Sequence, residues 1–218
     1  MSQLFPPSAD IWFRVALIAI LAVLVGGPLL AMGLVRSDWW QDVNVAPAQP
    51  VPFSHQHHVA GLGIDCRYCH TSVETTASAG LPPTHTCMTC HSQIWTEAPM
   101  LAPVRDSLAT GKPLHWARVT DLPDFVFFNH SVHIRNGVGC ETCHGRIDRM
   151  PLVHQAHEFT MMFCVSCHRD PGPHLRPQDA VFEMGWKPPE DPRRYGERMM
   201  KAYHIDATHL DDCYTCHR

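Results

Sequence analysis

Ten of the 218 residues are Cys, and all ten stand in five copies of one pattern, Cys-x-x-Cys-His, beginning at Cys66, Cys87, Cys140, Cys164 and Cys213. On a helical turn, residues i, i+3 and i+4 share one face. Two thiols at that spacing can bond to the two vinyl groups of a porphyrin while the imidazole beside them reaches its iron; the pattern is the attachment signature of c-type haem. It predicts thioethers from Cys66/Cys69, Cys87/Cys90, Cys140/Cys143, Cys164/Cys167 and Cys213/Cys216, with His70, His91, His144, His168 and His217 as proximal iron ligands. Seventeen His placed at random in 218 positions would follow all five second cysteines about 3 times in a million. A zinc ribbon uses Cys-x-x-Cys pairs two at a time, so five pairs leave one over, and zinc does not require a His after each. A thioredoxin-like redox pair would occur once, beside a βαβ pattern. A disulfide-stapled mini-protein would have no reason to tie His to Cys. Five covalently attached haem c groups are therefore expected, with no cysteine left for a disulfide.

A haem has two axial positions, and its own motif fills one. Phe53-Ser-His55-x-x-His58 precedes the first motif and Phe128-Asn-His130-x-x-His133 precedes the third, each residue offset by 75. The following first cysteines, Cys66 and Cys140, are offset by 74, and Cys87 and Cys164 by 77. This is an internal repeat of a two-haem unit. The two His of one element cannot both bind the same haem, so each element must hold two porphyrins together. The expected assignment is His55 to the Cys66 haem, His58 to the Cys87 haem, His130 to the Cys140 haem and His133 to the Cys164 haem. The fifth haem has no such element. His204 falls in the register of a truncated third copy; His209, Met161, Met162, Met199 and Met200 are the alternatives, and a Met ligand would raise the reduction potential. His85, His115, His154, His157 and His174 read as solvated or hydrogen-bonded side chains.

The elements that position these residues should be short. Pro accounts for 19 residues, and long periodic segments are nearly absent. The expected fold is mostly irregular with short α-helices: one N-terminal transmembrane helix, then a multihaem cytochrome c domain of repeated two-haem modules. With about 36 residues per motif after the first 40, each site has too little chain for an apolar core of its own, so the haems must supply the buried surface. The boundaries read as an anchor (1–40), a Pro-rich linker (41–52), a first two-haem module (53–120), a second (121–185) and a single-haem C-terminal segment (186–218).

Val15 to Val35 is an uncharged apolar run of 21 residues between Arg14 and Arg36, enough to span a bilayer core of about 30 Å as a helix. Gly26-Gly27-Pro28 should weaken or kink it, and Trp39 and Trp40 follow where an aromatic belt would lie. Ala31-Met32-Gly33 resembles a cleavage site, but the apolar core of a signal peptide is shorter. Because c-type haem is attached outside the cytoplasm, a single-pass protein in the bacterial inner membrane is expected, its haem domain on the periplasmic side. The chain is 45% hydrophobic and 17% charged, which excludes disorder. A net charge of −4 and the lack of basic runs exclude nucleic acid as a partner.

Phe-x-His-x-x-His followed by Cys-x-x-Cys-His looks like the cytochrome c3/c7 class. Two longer stretches, Leu122 to His133 running into Gly139-Cys-Glu-Thr-Cys-His-Gly145, and Phe159 to Arg169, together with the apolar helix and five motifs, resemble the pentahaem membrane-anchored subunit of alternative complex III. The resemblance implies an electron-transfer subunit of a quinol-oxidising respiratory complex, not an enzyme by itself. Its implied partners are an iron–sulfur and molybdopterin-like subunit, quinol-binding membrane subunits and a monohaem cytochrome c. Electrons would pass toward cytochrome c or a terminal oxidase. A related cytochrome subunit of quinone reductase complexes is the close alternative. A multihaem reductase of a small nitrogen or sulfur compound is the other; it needs an open iron position, whereas all five motifs end in His and further His and Met are at hand to close the distal sides.

Overall fold

The computed structural model describes residues 6, 8–37 and 39–217. Residues 1–5, 7 and 38 of the expected anchor and residue 218 of the C-terminal segment lie outside the described residues. The chain divides into two compact units, Met1–Val43 and Asn44–Arg218.

Among the described residues of the first unit, Ala9–Val35 forms one helix of 27 residues with mean hydropathy 2.6 and no buried residue in its most apolar window. It is long and apolar enough to cross a membrane. The helix begins before the apolar run and passes through Arg14, whose guanidinium meets Asp10 one turn earlier at 3.0 Å. At Gly26-Gly27-Pro28 it does not break. Residues Ala22–Gly26 widen into a π turn, and Pro28 enters the first turn of the following Gly27–Val35 segment. Proline lacks an N–H and its ring clashes with the carbonyl four residues back; inserting a wide turn there relieves both.

The second unit is built from short helices joined by irregular chain. Among the described residues there is no strand; isolated bridges include Val126 with His217 and Val138 with Leu175. Local chemistry sets the helix starts. Asp65 accepts from the Arg67 N–H at the head of Cys66–Cys69, Asn129 from Ser131 at the head of His130–Arg135, and Thr160 from Phe163 at the head of Met161–Arg169. Gly145 ends Cys140–His144 at φ +63°, a conformation that an L side chain resists.

Burial is sparse. Two small clusters form the apolar core: Val51, Leu101 and Val104, against which Cys87, Met88 and Trp116 pack, and Val73, Ile134 and Val181, against which Cys140 and Phe182 pack. None of the five helices bearing the motifs has a buried residue. The accessible surface is 15054 Å², whereas a folded monomer of 24.6 kDa averages about 10,000 Å². The exposed apolar helix supplies part of that excess.

Candidate haem sites

Each Cys-x-x-Cys-His lies on a single turn or short helix: Cys66–Cys69 with His70 as its cap, Thr84–His91, Cys140–His144, Met161–Arg169, and Cys213–Cys216 with His217 as its cap. The first and second Cys of each motif are therefore one turn apart on one face, with His directly beyond. Burial raises the thiols of Cys69, Cys87, Cys143, Cys164 and Cys167, that of Cys143 to about 11. Among the described residues no three His, Cys, Asp or Glu side chains converge as a metal cluster requires. The imidazoles come together in twos.

The hydrogen bonds of the rings define their tautomers. His70 Nδ1 is 2.8 Å from the Gly80 carbonyl, His168 Nδ1 2.8 Å from Leu210, His217 Nδ1 3.1 Å from Phe125 and His91 Nδ1 3.2 Å from Ile94. In the His-x-x-His elements, His58 Nδ1 faces the Ser54 carbonyl, His130 that of Ala77 and His133 that of Asn129, each at 2.8 Å. A carbonyl only accepts, so each Nδ1 carries the proton and each Nε2 keeps a free lone pair. That is the arrangement of a metal-ligating imidazole, its ring held and its basicity raised by the second nitrogen. His55 departs from the pattern: its Nδ1 is buried without a partner.

Three distal candidates stand opposite the proximal His of the expected motif. Ring centroids are 6.3 Å apart for His58 and His91, 6.3 Å for His130 and His144, and 6.1 Å for His133 and His168. Two imidazoles bound trans through Nε2 at about 2 Å, the usual metal–imidazole length, would have centroids roughly 6.3 Å apart. The residues present therefore fit a six-coordinate iron between them. His55 lies within electrostatic reach of His70, and of His144 beyond. Burial, then neighbouring His, holds His55 and His144 at about 4, and burial lowers His58 and His133. All four are neutral at physiological pH, the only form that ligates.

The repeat seen in the chain recurs in space. Phe53 meets His55 edge-on at 5.0 Å and stacks on His58 at 4.4 Å; Phe128 meets His130 edge-on at 4.8 Å and stacks on His133 at 4.5 Å. One phenyl ring thus fixes both imidazoles of its element. The fifth motif is different. His217 stacks on Phe125, centroids 5.8 Å apart. His204 adopts a left-handed backbone at φ +54° and lines a cavity with Glu197, Met200, Lys201 and Ile205. Met161 is exposed at the first turn of its helix.

Several contributors had no sequence signal. The carbonyls of Gly80, Ala77, Leu210 and Phe125 are supplied from 10 to 92 residues away. The Ser54 and Asn129 carbonyls could have been found, since both occupy the residue after the repeated Phe. Glu141, inside the third motif, receives Arg176 at 2.9 Å from a buried position and the Gly185 N–H as well. His157, read as a lone imidazole, stacks on Phe163 at 5.5 Å.

Comparison with known proteins is consistent with this geometry. No family model matches the chain. Over 198 residues it is 27% identical to a protein of Nitratidesulfovibrio vulgaris named Menaquinone reductase, multiheme cytochrome c subunit, covering 83% of each chain. The chain is a distant relative of a multihaem cytochrome c. The relationship extends across most of both chains, so it takes in far more than one short motif.

Proposed function

We propose that this protein is a membrane-anchored pentahaem c-type cytochrome that relays electrons within a quinone-linked respiratory complex. Haem c, when bound, supplies reversible one-electron chemistry at its iron. The chain's own residues do the rest. Ten thiols fix five porphyrins, His70, His91, His144, His168 and His217 ligate from one side, and His55, His58, His130 and His133 close the other side of four of them. The ligand closing the fifth comes from the His204 and Met161 group of alternatives. Saturated irons leave no position for a small substrate, so the protein conducts and does not itself catalyse. The observation that carries this reading is the set of three imidazole pairs at trans-ligand separation, each with at least one ring whose Nδ1 meets a carbonyl.

The Ala9–Val35 helix serves as a single-pass anchor in the bacterial inner membrane, with the haem domain on the periplasmic side, where haem c is attached. Partners follow from the reading: an iron–sulfur and molybdopterin-like subunit, quinol-binding membrane subunits and a monohaem cytochrome c. The two long stretches resembling alternative complex III support electron flow from quinol toward cytochrome c or a terminal oxidase. The name of the Nitratidesulfovibrio relative supports the reverse, reduction of menaquinone. Direction is separable in the isolated complex: reduction of these haems by menaquinol in the presence of an oxidised cytochrome c supports the first, and quinone reduction by prereduced haems the second.

Electron paramagnetic resonance of the oxidised full-length protein, with pyridine haemochrome quantitation, tests the conduit itself. Five haems per chain with low-spin signals dominant are expected. A major high-spin signal in the untreated protein would overturn the conduit and favour the reductase.

A further inference from the structure

We propose that the five attachment motifs form one unbranched row in the order Cys87, Cys66, Cys140, Cys164, Cys213, so that electrons are exchanged with partner proteins at the Cys87 and Cys213 ends. The inference rests on the haem-conduit reading above. It adds which sites are neighbours, which sequence order does not reveal.

Four links define the row. Between the first two motifs, the Tyr68 hydroxyl meets Thr89 Oγ1 at 2.9 Å; these residues are the third positions of Cys66-Arg-Tyr-Cys69 and Cys87-Met-Thr-Cys90. The Cys69 and Cys87 thiols lie within electrostatic reach of each other. The second link joins the modules. The Cys66 and Cys140 thiols lie close to each other, and His144 lies within electrostatic reach of both His70 and His55. The backbone N–H and Nδ1 of His130 both donate to the Ala77 carbonyl, at 3.1 and 2.8 Å, and the Ser131 N–H donates to Thr76 at 3.2 Å. The segment behind the first motif is thus the seat of the second module's distal element.

In the third link, His130 and His133 share one turn and face His144 and His168 respectively. Cys143 lies near both Cys167 and Cys164. The fourth joins motifs four and five: His168 Nδ1 donates to the Leu210 carbonyl, Arg169 pairs with Asp211 at 2.8 Å, and Cys164 lies near Cys216.

The ends are marked independently. The Thr84–His91 helix packs against Ala102–Thr110, where Thr84 meets Ser107 at 2.7 Å, so that flank is closed by protein and not by another motif. Of the ten cysteines, Cys90 and Cys213 alone are exposed; the other eight are partly covered. They belong to the two motifs at the ends of the row.

An iron anomalous map from crystals of the full-length, haem-loaded protein in detergent tests the order. The expected result is five irons in which the Cys66 and Cys140 sites are nearest neighbours and the Cys87 and Cys213 sites each have one near neighbour. Five irons with Cys66 and Cys140 apart, or with either end site flanked on both sides, would overturn the row and leave the conduit reading intact. Cysteines without thioether bonds to a porphyrin would overturn both.

Discussion

His58→Ala removes one imidazole whose loss should be felt at a haem attached 29 residues later in the chain and not at the nearest motif. His58 faces His91 with centroids 6.3 Å apart, donates from Nδ1 to Ser54 at 2.8 Å and stacks on Phe53 at 4.4 Å. The stack is worth about 0.5–1.5 kcal/mol beyond area and the half-buried hydrogen bond about 0.5–1.5 kcal/mol. Their sum, about 1–3 kcal/mol, is below the 5–15 kcal/mol of an ordinary domain. The chain should stay folded, and the effect should be confined to one iron. A fifth of the haem should turn high-spin and bind one carbon monoxide per chain, read by electron paramagnetic resonance and by the carbon monoxide difference spectrum. Adding Cys87→Ala and Cys90→Ala assigns the signal, because the new high-spin species should vanish with the haem that carries it. If it persists in that triple variant, His58 serves another haem and the pairing of the element is wrong.

Other outcomes follow from the third motif and its surroundings. A Cβ at Gly139 would sit 2.2 Å from the guanidinium carbon of the buried Arg176, so Gly139→Ala should cost about 1–3 kcal/mol, seen as a lower Tm, with reduced haem occupancy at Cys140. Arg176→Met strands the Glu141 carboxylate, whose side chain is 15% exposed, and should cost about 3–5 kcal/mol; the double variant with Glu141→Gln should recover most of that in the same thermal melt. The hydrogen bonds and charge of Arg146 hold the Asp148 carboxyl below its usual value. Its folded pKa is depressed, so its contribution is complete above about pH 4 and is lost as pH falls further. Acid melts of the wild type and Asp148→Asn should converge in that range and diverge above it.

That each Cys-x-x-Cys-His lies on one helical turn was legible from the chain because the geometry is local. A thioether pair and its axial His lie within five residues, and one helical turn aligns them whatever the remainder does. The spacing of His130 and His133 carried as much, since two imidazoles one turn apart meet different partners, His144 and His168. The long apolar helix was legible for the same reason, though its unbroken passage through Pro28 depended on a π turn that composition does not announce. Tertiary structure decided what depends on distant chain: the carbonyls that set the imidazole tautomers, the buried Arg176 behind Glu141, and the seating of His130 and Ser131 on the Ala77 and Thr76 carbonyls. These are contacts between segments tens of residues apart, chosen by which backbone groups remain unpaired and which faces remain apolar after the helices have formed. No periodicity in the sequence records that choice.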